Sequence, residues 1–303
     1  MPSAALPSAQ LPPVGGGGSD RPLLRLIRFP NLVLMALCLC LVRACLLLPN
    51  ELLKALLAPR FGLLVVATLS VAAAGYIIND YYDVKIDAIN RPSRLVVGRV
   101  INRRHAMLAH LVLTGIGIAV AGLLSPLLGL VHLGSALLLW GYSIRFKRVA
   151  LVGNVSIGAL TASLVLLPEL QLRTGSPTVW VYALAAFLLT VVREIVKDVE
   201  DMRGDAQHDC RTLPIVWGVA RTKWVAGFFL LSLFLLLTGT IWEAAQDRRW
   251  LLGLWLWLTV WVPLGLLGRY LAHADRRRDF SRLSSWCKWI MLAGVLSMLL
   301  AGG

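Results

Sequence analysis

A chain of 303 residues in which 58% are hydrophobic and 15% charged, with a mean hydropathy of +0.73, is too apolar for a soluble globular domain, whose apolar share runs at about 45–50%. The formal charge of +14, from 30 Lys and Arg against 16 Asp and Glu, matches a nucleic-acid binder in amount. Its distribution along the chain excludes that reading and points to a membrane topology instead.

Residues 1–21 are rich in Pro, Gly and Ala without an apolar run, a composition that predicts a disordered tail. They lack the basic and apolar regions of a cleavable signal peptide, and Pro22 suits the first position of a helix. Apolar stretches of the length needed to cross a bilayer then follow near 24–48, 61–79, 106–124, 126–142, 150–168, 177–196, 224–242, 250–271 and 287–301. The expectation is an all-α polytopic bundle of about nine transmembrane helices over 22–303, surrounding a central cavity with cytoplasmic caps.

The N-terminus and the even-numbered connections carry 24 of the 30 basic residues, among them Arg91, Arg94, Arg145, Lys147, Arg203 and Arg278. The positive-inside bias places that side, with the N-terminus, in the cytoplasm of a multi-pass inner-membrane protein. The opposite connections are short and bland. The cytoplasmic ones are polar, especially 80–105 and 197–223, and they hold the informative residues. Five cysteines show no CxxC or Cys/His metal spacing, and structural disulfides are not expected.

The first informative stretch reads GYIINDYYDVKIDAINRPSR. At 100° per residue Asn79, Asp80, Asp83 and Asp87 fall within an arc of about 100° on one helix face. Like charges four apart destabilise a helix, whereas ionisable groups at membrane depth usually face the bundle interior and serve a function. A divalent cation relieves the repulsion, and hard oxygen ligands favour Mg2+ over zinc. The second stretch reads REIVKDVEDMRGDAQHDCRTLPIVWG. There Glu194, Asp198, Asp201 and Asp205 share an arc of about 60°, provided that Gly204 does not end the helix before Asp205. Taken alone this block also fits a salt-bridged helix end with Arg193 and Lys197. The two blocks together contain 9 of the 16 acidic residues, both on the cytoplasmic side. They are about 120 residues apart and form a faint internal echo: an apolar helix, several aspartates, a basic stretch, then a proline.

Two facing carboxylate sites suit Mg2+, which takes one or two protein carboxylates and completes its shell with water and substrate phosphate. They would clamp a diphosphate, with Lys147, Arg91 and Arg94 balancing the remaining charge. An apolar bundle wall would hold a long hydrocarbon tail. A diphosphate with such a tail is a prenyl diphosphate.

The motifs NDxxDxxxD at 79–87, YSxxxK at 142–147 and KDxEDxxGD at 197–205 resemble those of the UbiA-type intramembrane prenyltransferases, in motif order and helix count from about residue 22 onward. The resemblance implies that Asn79, Asp83 and Asp87 bind one magnesium–diphosphate unit and Asp201 and Asp205 the other, with Asp80 and Asp198 contributing. It further implies that Lys147 contacts diphosphate and that Tyr142 borders the reacting carbon, so that Asp83, Asp87, Asp201, Lys147 and Tyr142 form the catalytic set. REIVKDVEDMRGD followed by RTLPIVWG is most similar to geranylgeranylglycerol-phosphate geranylgeranyltransferases and their bacterial relatives. That subgroup commonly has glycine where Asp209 stands and an acidic residue where Ser93 stands. The implied reaction is Mg2+-dependent transfer of a prenyl group, geranylgeranyl in that subgroup, to a lipid acceptor such as geranylgeranylglycerol phosphate. An aromatic quinone precursor or a tetrapyrrole is the alternative acceptor, and an ion-coupled transporter the distant alternative class. A transporter predicts carboxylates near the bilayer midplane on broken helices, whereas these lie at helix ends.

Other polar residues suggest no role of that kind. The histidines show no ligand spacing, and His208 reads as a solvated loop residue. The Trp-rich stretch at 250–262 reads as an interfacial belt facing lipid. Gly153 and Asn154 suit a close helix approach and are assigned no catalytic role.

Overall fold

A helix rises 1.5 Å per residue, so about 20 apolar residues cross the hydrocarbon core, and apolar stretches of that length recur along the chain. The computed structural model describes residues 22–90, 96–207 and 209–302, without the side chains at 22 and 85–90. Among the described residues, nine helices are long and apolar enough to span a membrane. They are α1 (Phe29–Leu47), α2 (Pro59–Asn90), α3 (Arg103–Leu124), α4 (Pro126–Ile144), α5 (Val152–Leu172), α6 (Pro177–Ala206), α7 (Leu213–Gln246), α8 (Trp250–His273) and α9 (Arg277–Ala301). The expected helical membrane bundle is therefore observed. Beyond its helices the described chain makes two isolated β-bridges, Val97 with Ile101 and Val149 with Arg211.

Local sequence accounts for many of the boundaries. Proline opens α2, α4 and α6, where its missing N–H goes unused. The Ser125 hydroxyl accepts from the Leu128 N–H at 3.2 Å, and the Asn102 side chain accepts from the Arg104 N–H at 3.0 Å, capping α4 and α3. Two spans differ from the apolar pattern. The first stretch is divided, because Arg28 adopts a left-handed backbone (φ 51°) between a short helix at Pro22–Leu26 and α1; Pro30 can donate no N–H to a continuing turn. The seventh begins earlier, at Leu213, and is broken at Gly218 (φ 78°, ψ 161°), a conformation open to glycine alone at low cost.

The core divides into packed groups. Leu64, Ala67, Leu128 and Leu167 join α2, α4 and α5. Val191, Ile195, Leu230, Leu264 and Leu283 join α6 to α9, and Val42, Val165, Val179 and Met298 tie α1, α5, α6 and α9 together. Polar bonds mark one end of the bundle. There Arg43 donates to the Ala55 carbonyl at 2.7 Å and to Gln171 at 2.8 Å, and Gln171 in turn donates to the Arg60 carbonyl at 2.8 Å. Buried His132 and His110 bridge α4 and α3 to α2, through Thr68 and the Ala74 carbonyl.

Candidate functional site

The acid blocks ride on helices that outrun the membrane. At 1.5 Å per residue α2 is about 48 Å long and α6 about 45 Å, against a hydrocarbon core of about 30 Å. Measured from Pro59, Asn79 lies about 30 Å along α2, and Asp198 lies about as far from Pro177 along α6. The stretches at 80–90 and 197–206 lie beyond the apolar runs but are helical overhangs, in keeping with the one-face spacing of both acid blocks. Gly204 does not end α6, which continues to Ala206 and keeps Asp205 in register with Asp198 and Asp201.

In the first block the Asn79 amide donates to Asp83 Oδ2 at 2.9 Å. Lys147 Nζ donates to the other Asp83 oxygen; the two side chains are 13% and 16% exposed. Asp80 pairs at 3.1 Å with Arg28, whose guanidinium also lies 4.9 Å from the centre of the Tyr76 ring. The side chain of Asp87, and residues Arg91, Arg94 and His208, lie outside the described residues.

In the second block Lys197 approaches Asp201 at 3.7 Å, Glu194 is buried beside Arg193, and Asp198 accepts from Asn154 Nδ2 at 2.8 Å. Asp205 lies one turn further along the same face.

The blocks meet through the segment between α4 and α5. Lys147 sits in a 3-10 turn, Phe146–Arg148, whose neighbour Val149 bridges Arg211 beyond the second block; the Arg211 N–H donates to the Arg148 carbonyl at 2.8 Å. Tyr142, at the end of α4, lies within electrostatic reach of Asp83 from one block and of Glu194 and Asp198 from the other. Cys210 is likewise within reach of Asp205, Lys147 and Asp83. Its thiol is pushed above its ordinary pKa, by burial first and then by the charge of Asp205.

Glu194 stood in the second block by sequence, but three groups, Arg28, Cys210 and Asn154, were passed over. Arg28 and Cys210 owe their place to packing with residues distant in sequence. Asn154 carried a usable signal, since a buried polar residue in an apolar span usually serves a function.

The donor set is oxygen-rich: an amide and carboxylates on α2 and carboxylates on α6, with the Lys147 ammonium against Asp83. That chemistry suits Mg2+ with phosphate and not a soft metal. Among the described residues no three His, Cys, Asp or Glu side chains converge tightly enough to hold an ion by themselves.

Comparison with known proteins gives a consistent result. Digeranylgeranylglyceryl phosphate synthase of Methanospirillum hungatei JF-1 is 38% identical over 160 residues, 52% of this chain and 57% of that protein; the chain thus spans little more than half the length of this curated relative. A solved structure concerning digeranylgeranylglyceryl phosphate synthase in membranes superposes with a TM-score of 0.70 at 24% identity, over 92% of this chain and 98% of that one. A UbiA homolog from Archaeoglobus fulgidus bound to GPP and Mg2+ superposes with a TM-score of 0.59 at 18% identity, over 91% and 99%. At these identities both structures bear on the fold. The sequence model of the UbiA prenyltransferase family matches residues 44–296, and with a relative 33% identical over 82% of its own length the chain belongs to that family.

Proposed function

We propose that this protein transfers a prenyl group, geranylgeranyl, from its diphosphate to geranylgeranylglycerol phosphate or a closely similar lipid acceptor, releasing diphosphate. The family supports prenyl transfer, and the names of the matching curated relatives support the glycerol-phosphate lipid. The observation that carries the reading is the continuous set of contacts from Asp83 through Lys147 and the start of α5 to Asp198. It brings two acidic helix ends to one place in an apolar bundle.

In this reading Asn79, Asp83 and Asp87 hold one Mg2+, and Asp198, Asp201 and Asp205 a second. Bound Mg2+ would supply charge neutralisation for the diphosphate. Lys147 shifts from Asp83 toward a phosphate oxygen when the carboxylate is otherwise engaged, and Arg91 and Arg94 are assigned the balancing of the remaining charge. Asp80 orders the Arg28 guanidinium beside the same helix face. Scission of the allylic C–O bond leaves its electron pair on the departing diphosphate. The allylic carbon is then positive, beside Tyr142 and apolar walls that exclude water. A hydroxyl oxygen of the acceptor forms the new C–O bond and releases its proton. The active-site side faces the cytoplasm, together with the N-terminal end of α1, in accordance with the basic bias of the connections.

The reading is tested with purified Asp83→Ala and Asp201→Ala proteins, labelled geranylgeranyl diphosphate and a panel of glycerophosphate lipids and aromatic acids, with products identified by mass spectrometry. Turnover should fall by roughly two orders of magnitude or more in each variant, the scale of a lost electrostatic group at a reacting centre. Near-normal turnover in both would exclude the assigned site. Prenylation of an aromatic acid alone would exclude the lipid acceptor.

A further inference from the structure

The start of α5 touches the turn that presents Lys147 to the first acidic block and bonds directly to the second. At Gly153 an added Cβ would stand 2.9 Å from the Phe146 carbonyl oxygen and 3.0 Å from the Lys147 Cα. Both are backbone atoms that cannot swing aside, so α5 is seated directly on the turn that presents Lys147 to Asp83. The next residue, Asn154, is 4% exposed and donates its amide N–H to Asp198 Oδ2 at 2.8 Å. Two consecutive residues therefore connect the block on α2 to the block on α6. Burial of an amide is costly unless it is bonded, and here the bond goes to a carboxylate, where a charge-assisted hydrogen bond is strong and directional.

We infer that Asn154 is a positioning residue for the second acidic block: by holding one Asp198 oxygen it turns the other toward a magnesium–diphosphate ligand. The inference rests on the proposed function and adds a residue to it. An amide suits the task better than a cation, because it orients the carboxylate without neutralising the charge that the ligand requires. It also suits the task better than a hydroxyl, whose donor direction rotates freely. Partners that orient metal-binding carboxylates typically matter by about 10–100-fold in metal affinity when removed.

The test uses the full-length protein in detergent, with Mg2+ and inorganic diphosphate as probes. Binding is read from the rise in unfolding temperature as Mg2+ is titrated at fixed diphosphate. Asn154→Asp keeps the side-chain shape and removes the donor; Asn154→Ser shortens it. Both should raise the half-saturating Mg2+ about 10–100-fold, with the larger effect from Asp, which also sets a second buried carboxylate against Asp198 and should lower the ligand-free unfolding temperature more than Ser does. The KM for prenyl diphosphate should rise in parallel. Asp198→Ala distinguishes the two levels of the argument. If it binds as the parent does, the site assignment fails. If it loses binding while both Asn154 variants titrate as the parent does, only the role of Asn154 is overturned. A loss of ligand-free stability in both, with unaltered titration of the folded protein, equally overturns it and makes Asn154 a packing residue.

Discussion

Lys147 and Asp83 show how an apolar surrounding governs a single pair of charges. Their side chains are 13% and 16% exposed, so each has lost most of its water and depends on the other. Breaking a buried pair by removing one partner is more damaging than the pair itself is stabilising, up to about 3–5 kcal/mol at full burial. The partial exposure here reduces that figure. Lys147→Gln is accordingly expected to lower the unfolding temperature in the absence of divalent ions, because Asp83 then stands uncompensated near Asp80. Adding Mg2+ should recover most of the deficit, since a divalent cation can take over the same carboxylate. Thermal unfolding with and without Mg2+ checks this; an equal deficit in both conditions would mean that the lysine serves packing and not charge balance. Both residues were legible in the sequence, Asp83 because it shares one helix face with Asn79, Asp80 and Asp87, and Lys147 through the YSxxxK motif at 142–147. Asn154 was less so. It is neutral, its partner lies 44 positions away, and their meeting depends on how α5 packs on α6.

At the scale of elements, α2 and α6 are the rigid arms that carry the acids, and their accuracy depends on what they pack against. An added Cβ at Gly117 of α3 would lie 2.6 Å from Val71 Cγ2 and 2.8 Å from the Ala67 carbonyl oxygen of α2. Small residues at such crossings let membrane helices approach closely, where dispersion forces and not hydrophobic exclusion hold them. Gly117→Val should push α3 away from α2 and destabilise the protein by about 1–3 kcal/mol, the usual range for overpacking. The measurement is the unfolding temperature in detergent, and an unchanged value would show that the crossing yields without cost. The nine spans were legible because bilayer thickness imposes a length that composition reveals. Their ends were less so. Neither the left-handed Arg28 nor the break at Gly218 interrupts hydropathy, and the helical overhangs at 80–90 and 197–206 look like polar loops to any measure of apolarity. The Trp-rich stretch divides for a related reason: Trp250 and Trp257 are exposed, but Trp255 and Trp261 turn inward to donate to the Ala293 carbonyl and the Thr238 hydroxyl, a difference that depends on the neighbouring helices.

At the scale of the whole molecule, the contacts sort into two ends that hydropathy alone does not distinguish. One end holds Asp83 with Lys147, Asn154 with Asp198, and Lys223 with Asp275. The other holds Arg43, Arg60 and Gln171, and there Gly302 closes against Cys45 and Pro49. Six of the 30 basic residues belong to this second end, and Arg43 among them is buried. Alternate connections thus differ in charge by a large factor, and translocation of Lys and Arg is what topology resists. The echo between the blocks fits the same arrangement, with α2 and α6 running in one direction and presenting acids at the same end. Orientation follows as an expected outcome. A cysteine placed at Asp247, in the connection between α7 and α8, should react with an impermeant maleimide added outside intact cells. One placed at Arg277, at the start of α9, should react only after the membrane is opened. The native cysteines give little background, since Cys38, Cys210 and Cys287 are buried and Cys40 and Cys45 half-buried. The reverse labelling pattern would turn the acidic end outward, away from any cytoplasmic supply of diphosphate substrate. The charge bias would then have to be explained by something other than topology.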